Sequence, residues 1–216
     1  MTALLEKDLR LLLVRKSSIL IFIVIGVVFT WEFSSSFSGA YLTMLGALLA
    51  LSTLSYDDTD NCMEFLFTLP CTRKQYVIEK YLFVYGISLV AGLIAIVIII
   101  GSGIIQGIPI NTLTFIEIIA SEIPILVATG GIPIPLQLKF GPEKSRMVLL
   151  ALIGCVFVVA YTFAKIADIG SVLESLVVTL DTMNPVSMII GLVVILAILS
   201  AGSMMASMRI VENREF

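Results

Sequence analysis

The chain has 216 residues, 59% of them hydrophobic and 13% charged, and its mean hydropathy of +1.10 is too high for one soluble core. Histidine is absent, which excludes His-based catalytic triads, His-ligated zinc and the commonest proton shuttle. A net charge of −3 says little as a sum, because in so apolar a chain the position of each charge carries the information.

Lipid must therefore be the solvent for most of the protein. Hydrocarbon leaves no free backbone polar group satisfied, and the apolar runs lack the alternation of barrel strands, so they are expected to be helices. The expected fold is an all-α polytopic membrane protein of one domain, residues 1–216, with six transmembrane helices. Cys62, Cys71 and Cys155 show no C-x-x-C spacing and are expected as free thiols.

Residues 1–16 open the chain as a short surface helix. Leu5, Leu9, Leu12 and Leu13 fall on one side and Glu6, Lys7 and Arg10 on another, although Asp8 and Arg15 spoil a clean split. A plain positive flank for the next helix is the alternative. A cleavable leader is disfavoured by the acidic residues and by the full-span length of the run that follows. The six spans are expected at about 19–37, 40–56, 77–101, 115–136, 147–165 and 186–208, each near the length that crosses a bilayer core of about 30 Å.

Between spans two and three lies a charged island, Tyr56 to Tyr81, which must sit in water. Asp57, Asp58 or Asp60 can cap a helix there, Met63 and Phe67, with Phe65 and Leu66 less well aligned, give it an apolar face, and Pro70 stops it. Thr72 can cap the third span, whose first turns put Arg73, Lys74, Glu79 and Lys80 at the membrane surface. Such a helix either docks another protein or rests on lipid, and composition does not choose between them.

Span four carries Glu117 and Glu122, five positions apart and about 140° round a helix, so only one can face an interior. They are candidate cavity or exit residues, with Glu32 at the outer end of span one; the alternative for Glu117 is an interfacial position. Gly130, Gly131, Pro133 and Pro135 interrupt this span near its inner end, as a hinge or as a simple break, and the freed backbone groups need protein or water partners. The next stretch, Leu136 to Arg146, turns at Gly141-Pro142 and sets Lys139, Lys144 and Arg146 where phosphates or an acidic partner would meet them. It reads equally as an ordinary positive loop.

Orientation follows from counting cations. Lys7, Arg10, Arg15, Lys16, Arg73, Lys74, Lys80, Lys139, Lys144, Arg146, Arg209 and Arg214 share one side of the six-span layout, and Lys165 alone takes the other. That asymmetry predicts cytoplasmic N- and C-termini. The opposite face holds Glu32, Asp168, Glu174 and Asp181. No G-x-x-x-x-G-K-[ST] stretch occurs, so ATP chemistry would have to come from another chain.

The island, YDD followed by F-x-x-TLP-C-TRKQ-YVIEKYL, and the later LKFGPEKSR resemble the ABC-2 type permease family, especially its small six-span members from Gram-positive bacteria, among them exporters of the amphipathic peptide toxins called phenol-soluble modulins. Those proteins show a YDE...LPISRKE...KYL island and a KFGYEKSR-like loop. Cys71-Thr72 and Pro142 depart from that pattern without removing a charge.

The resemblance implies a transmembrane subunit paired with a second permease, either an identical copy or a paralogue, and with separate ATPase subunits that hold the ATP and magnesium. No cofactor, metal, catalytic group or nucleic acid is expected on this chain. The N-terminal surface helix becomes an elbow helix, and residues 58–69 become a coupling helix seated in the ATPase. Asp57, Asp58, Asp60, Met63, Glu64, Phe65, Phe67, Leu69, Arg73 and Lys74 would contact that partner, with Lys139, Glu143, Lys144 and Arg146 from the later loop.

The implied function is export of amphipathic or hydrophobic peptides across a bacterial plasma membrane; lipids, drugs or bacteriocins are the alternative cargoes. A secondary transporter would want midplane polar residues and an internal repeat, an intramembrane enzyme would want a nucleophile and base, and a membrane anchor would share the docking helix without transport.

Overall fold

The computed structural model describes residues 2–14, 16–59, 72–107, 112–166 and 185–213. Among them lie α1 (Thr2–Val14), α2 (Lys16–Glu32), α3 (Ser35–Thr59), α4 (Arg73–Gln106), α5 (Thr112–Gly131), α6 (Pro133–Ile166) and α7 (Pro185–Glu212). All regular structure in the described residues is helical.

The antiparallel centre of the bundle is α3 against α4, and small residues set how closely they approach. A Cβ built on Gly46 would lie 2.3 Å from the Ala91 Cβ, so only glycine lets the two backbones meet there. Ala50 of α3 and Ala95 of α4 are fully buried as well. Helix α4 starts on a reciprocal cap. The Gln75 amide donates to Thr72 Oγ1 (3.3 Å) while the Thr72 amide donates to Gln75 Oε1 (3.1 Å), as the sequence predicts for Thr72. It ends at Gly107, whose φ of 68° is the left-handed stop that glycine adopts without a Cβ clash.

Helices α2 and α3 meet in a two-residue break at Phe33-Ser34, and an aromatic stack marks this end. The Phe29 ring lies 4.5 Å from Tyr41 and 5.0 Å from Phe33. The predicted interruption of span four is real: the chain bends by 47° between α5 and α6. Pro135 has no N–H to give the Gly131 carbonyl four residues earlier, and the Ser203 hydroxyl of α7 donates to that oxygen instead. The freed group thus finds a protein partner inside the bundle.

Helix α6 is two helices joined at Gly141, where φ 76° and ψ 170° leave helical space. Pro133 and Leu136 before the break and Leu149 and Leu150 after it line one cavity. Sixteen residues of straight helix would hold Pro133 and Leu149 about 24 Å apart, so the break folds the chain back.

Among the described residues, three helices are long and apolar enough to cross a membrane alone, covering Ser35–Asp58, Arg73–Gln106 and Gly191–Glu212, and two bent pairs raise the number to five. Six spans were expected. The difference lies in α2, which has 17 residues, and in the fourth and fifth expected spans, which are merged and bent through α5 and α6. The expected fourth span to Leu136 ends as a helix at Gly131, and the second helix starts at Ser35 rather than at about residue 40. Large apolar side chains cover the outside, including Leu150 at 68% and Phe157 at 72% exposure, a surface made for lipid.

Candidate functional site

A buried charge cluster ties three helices together at one end of the bundle. Each helix contributes residues placed by its own geometry. Lys7 and Asp8 are neighbours on α1, Thr53 and Asp57 stand one turn apart on α3, and Tyr76 and Lys80 stand one turn apart on α4. Asp8 and Tyr76 are 0% exposed and Lys80 is 1% exposed.

The contacts close a ring. Lys80 Nζ lies 2.7 Å from Asp57 Oδ2 and also donates to Asp8 Oδ2. Lys7 Nζ lies 2.6 Å from Asp57 Oδ1 and 3.2 Å from Asp8 Oδ1. The Tyr76 hydroxyl donates to Asp57 Oδ2 at 3.2 Å, and the Thr53 hydroxyl reaches Asp8 Oδ2 at 3.4 Å. Two ammonium groups therefore face two carboxylates. Burial alone would lower the pKa of Lys7, but the hydrogen bond and charge of Asp57, followed by those of Asp8, raise it above the ordinary 10.5. An acid in the last turn of α3 opposes that helix's dipole, so Asp57 needs these cations to sit where it does.

Glu79 lies beside this ring at 1% exposure, and among the described residues neither of its oxygens has a hydrogen-bond partner. Glu79 and Lys80, expected at the membrane surface, are buried within the protein, where Lys80 meets Asp8 of α1. Asp57, one of three candidate caps, lies inside α3 and is bound by Lys7, Lys80 and Tyr76.

Two further joints meet the same end. The Asp58 carboxylate lies against Gly141, where a built Cβ would come within 2.9 Å of Asp58 Oδ2. The break in α6 therefore rests on the end of α3. Arg73 Nη1 donates to the carbonyls of Val211 (3.0 Å) and Glu212 (2.7 Å), satisfying orphan groups at the end of α7, and Lys74 lies 3.3 Å from the Glu212 carboxylate.

The predicted site residues thus divide into groups. Asp57, Asp58, Arg73 and Lys74 stand at the two helix ends between which residues 60–71 run. Asp60, Met63, Glu64, Phe65, Phe67 and Leu69 lie outside the described residues. Lys139, Glu143, Lys144 and Arg146 are exposed around the α6 break. Glu32 and Glu117 are exposed. Glu122 turns inward, as only one of the α5 pair could: a Cβ at Gly39 would lie 3.0 Å from its Oε1, and one at Gly92 2.8 Å from its Oε2. Glu122 Oε1 is buried without a hydrogen-bond partner.

Asp8 is the residue that the sequence reading missed. It looked like a flaw in an amphipathic helix, yet a charge breaking an apolar face is itself the signal of a buried partner. The buried side of α1 is Leu4 and Asp8 with Leu5 and Leu12 half-buried, while Leu9 and Leu13 face outward.

Among the described residues these contacts join α1, both ends flanking residues 60–71, the α6 break and the α7 terminus to one another. Comparison with curated proteins and with solved structures finds no match. A family model described as ABC-2 family transporter protein matches residues 3–212, nearly the full length. The chain therefore belongs to the ABC-2 transporter family, as a multi-pass membrane permease of an ABC transporter, a family membership that implies an ABC ATPase partner.

Proposed function

We propose that this permease is the transmembrane half of an exporter in a bacterial plasma membrane, with six spans and both termini cytoplasmic, and that residues 58–69 form the coupling helix that its ATPase pushes. The observation that carries this reading is the ring of Lys7, Asp8, Asp57 and Lys80, which clamps the two roots of that segment to each other and to α1. A load delivered there would reach α1, α3 and α4 together, and α6 and α7 through Asp58 and Arg73. The fold-back at Gly141 supports six spans, because it lets residues 142–166 return across the bilayer as a separate helix.

ATP and magnesium belong to the separate ATPase; this chain contributes no hydrolytic group. A second permease, identical or paralogous, completes the pathway. The cargo is an amphipathic peptide. The resemblance to permeases that export phenol-soluble modulins supports it, as does the inward Glu122, an acid that suits a cationic amphiphile.

The test is co-purification of wild-type and Phe67→Asp chains, each expressed with the candidate ATPase, followed by ATP turnover with and without an amphipathic cationic peptide. The variant is expected to insert normally and to lose the ATPase, while peptide stimulates turnover of the wild-type complex. Survival of both complex and turnover in the variant would sink the coupling assignment; absence of peptide stimulation would sink the cargo.

A further inference from the structure

Between α3 and the two arms of α6 lies a cavity of about 380 Å³, within the range of small-molecule sites. Its walls are apolar, with Leu48 and Leu51 from α3, Leu136 before the Gly141 break and Leu149 after it. Its polar lining includes Ser52, Gln137 and Arg146. Arg146 is the one charged residue in the lining, and among the described residues it forms no ion pair. Gln137 Oε1 is buried and accepts no hydrogen bond.

We propose that this cavity seats the headgroup of an anionic, hydroxyl-bearing phospholipid from the surrounding bilayer. The cavity sits at the right depth: its α3 residues fall in the last turns before Asp57 and Asp58, where the apolar helix gives way to charge. Leucine walls favour an amphiphile over a free water-soluble anion, since they would desolvate nothing useful on phosphate alone. The lone guanidinium selects a phosphate, which it can hold through paired N–H donors, and disfavours a cationic peptide. Gln137 in the lining offers a hydrogen-bonding side chain that a headgroup hydroxyl engages and a choline headgroup cannot. Acyl carbons next to the headgroup then lie on Leu48, Leu51, Leu136 and Leu149. The seated lipid would act as a wedge between α3 and the folded arms of α6. This inference needs only that the chain spans a bilayer, and it stands apart from the cargo.

The test is native mass spectrometry of the full chain in detergent, offered dioleoyl phosphatidylglycerol, phosphatidylmethanol and phosphatidylcholine in competition. Phosphatidylmethanol carries the same charge without the hydroxyls. The wild type is expected to retain one phosphatidylglycerol in preference to both others. Arg146→Ala should reduce that retention roughly tenfold and Arg146→Lys should restore part of it, while Gln137→Leu should abolish the preference over phosphatidylmethanol. Arg10→Ala removes the same charge from α1 and should change nothing. Equal retention of phosphatidylcholine, loss of lipid in Arg10→Ala as large as in Arg146→Ala, or displacement of the lipid by a cationic amphipathic peptide would each overturn the proposal.

Discussion

Lys80 is held between Asp8 and Asp57 with 1% of its surface exposed, so its removal leaves two carboxylates facing each other with only Lys7 between them. Breaking a buried pair by deleting one partner costs about 3–5 kcal/mol, much more than the intact pair contributes. Lys80→Met should therefore lower the melting temperature of the detergent-purified protein sharply, read by loss of a monodisperse gel-filtration peak on heating. Glu79 is the contrast. It is buried next door with no hydrogen bond to either oxygen among the described residues, so Glu79→Gln breaks no hydrogen bond, and the melting curve should shift little. A steep loss of stability in Glu79→Gln together with tolerance of Lys80→Met would mean that the cluster is assembled differently. None of this pairing was legible from the sequence. Lys80 and Glu79 read as surface residues because the apolar face that covers them belongs to α1, and only tertiary packing brings Asp8 over the start of α4.

At the scale of elements, the helices themselves were well marked. The long apolar runs gave their existence, Thr72 gave the start of α4, and the Gly-Pro signals gave both interruptions on either side of Pro133 and at Gly141. Boundaries were less legible. Hydropathy follows the apolar content of a run, whereas α5 ends at Gly131 because two prolines withdraw N–H donors just beyond it. Gly141 has a positive φ, and a Cβ there would come within 2.9 Å of Asp58 Oδ2 and displace that carboxylate. A non-glycine residue in that backbone conformation costs about 1–3 kcal/mol. Gly141→Ala is thus expected to loosen the seat of α6 on α3, raising proteolytic cleavage around residues 139–146 while the neighbouring Pro142→Ala has a smaller effect. Equal protection of Gly141→Ala and wild type would show that the break is not held there.

On the scale of the whole molecule, the contacts bring together several of the cations that the charge count assigns to one side: Lys7 and Lys80 in the ring, Arg73 and Lys74 on the α7 terminus, Lys139 and Arg209 beside a shared hollow. Single cysteines introduced at Lys74 and Arg209, in a chain whose own cysteines are replaced, should react with a membrane-impermeant thiol reagent only after the membrane is opened. A cysteine at Glu32 should react in intact cells. Labelling of all three from outside would reverse the orientation or break the span count.

The two ends of α3 have a consequence of their own. Phe37, in the aromatic stack, and Asp57, in the charged ring, are twenty positions apart on one uninterrupted helix, about 30 Å along its axis. The charged ring at one end cannot enter hydrocarbon, and at the other end Tyr41 brings to the stack the polar hydroxyl that favours a headgroup boundary. Held at both ends, α3 is a ruler cut to the hydrocarbon thickness of an ordinary bilayer. A membrane several ångströms thicker would have to thin around the protein or draw the ring of ions inward, so reconstitution into lipids of increasing chain length should reveal an optimum for the protein's stability, with losses on either side of it.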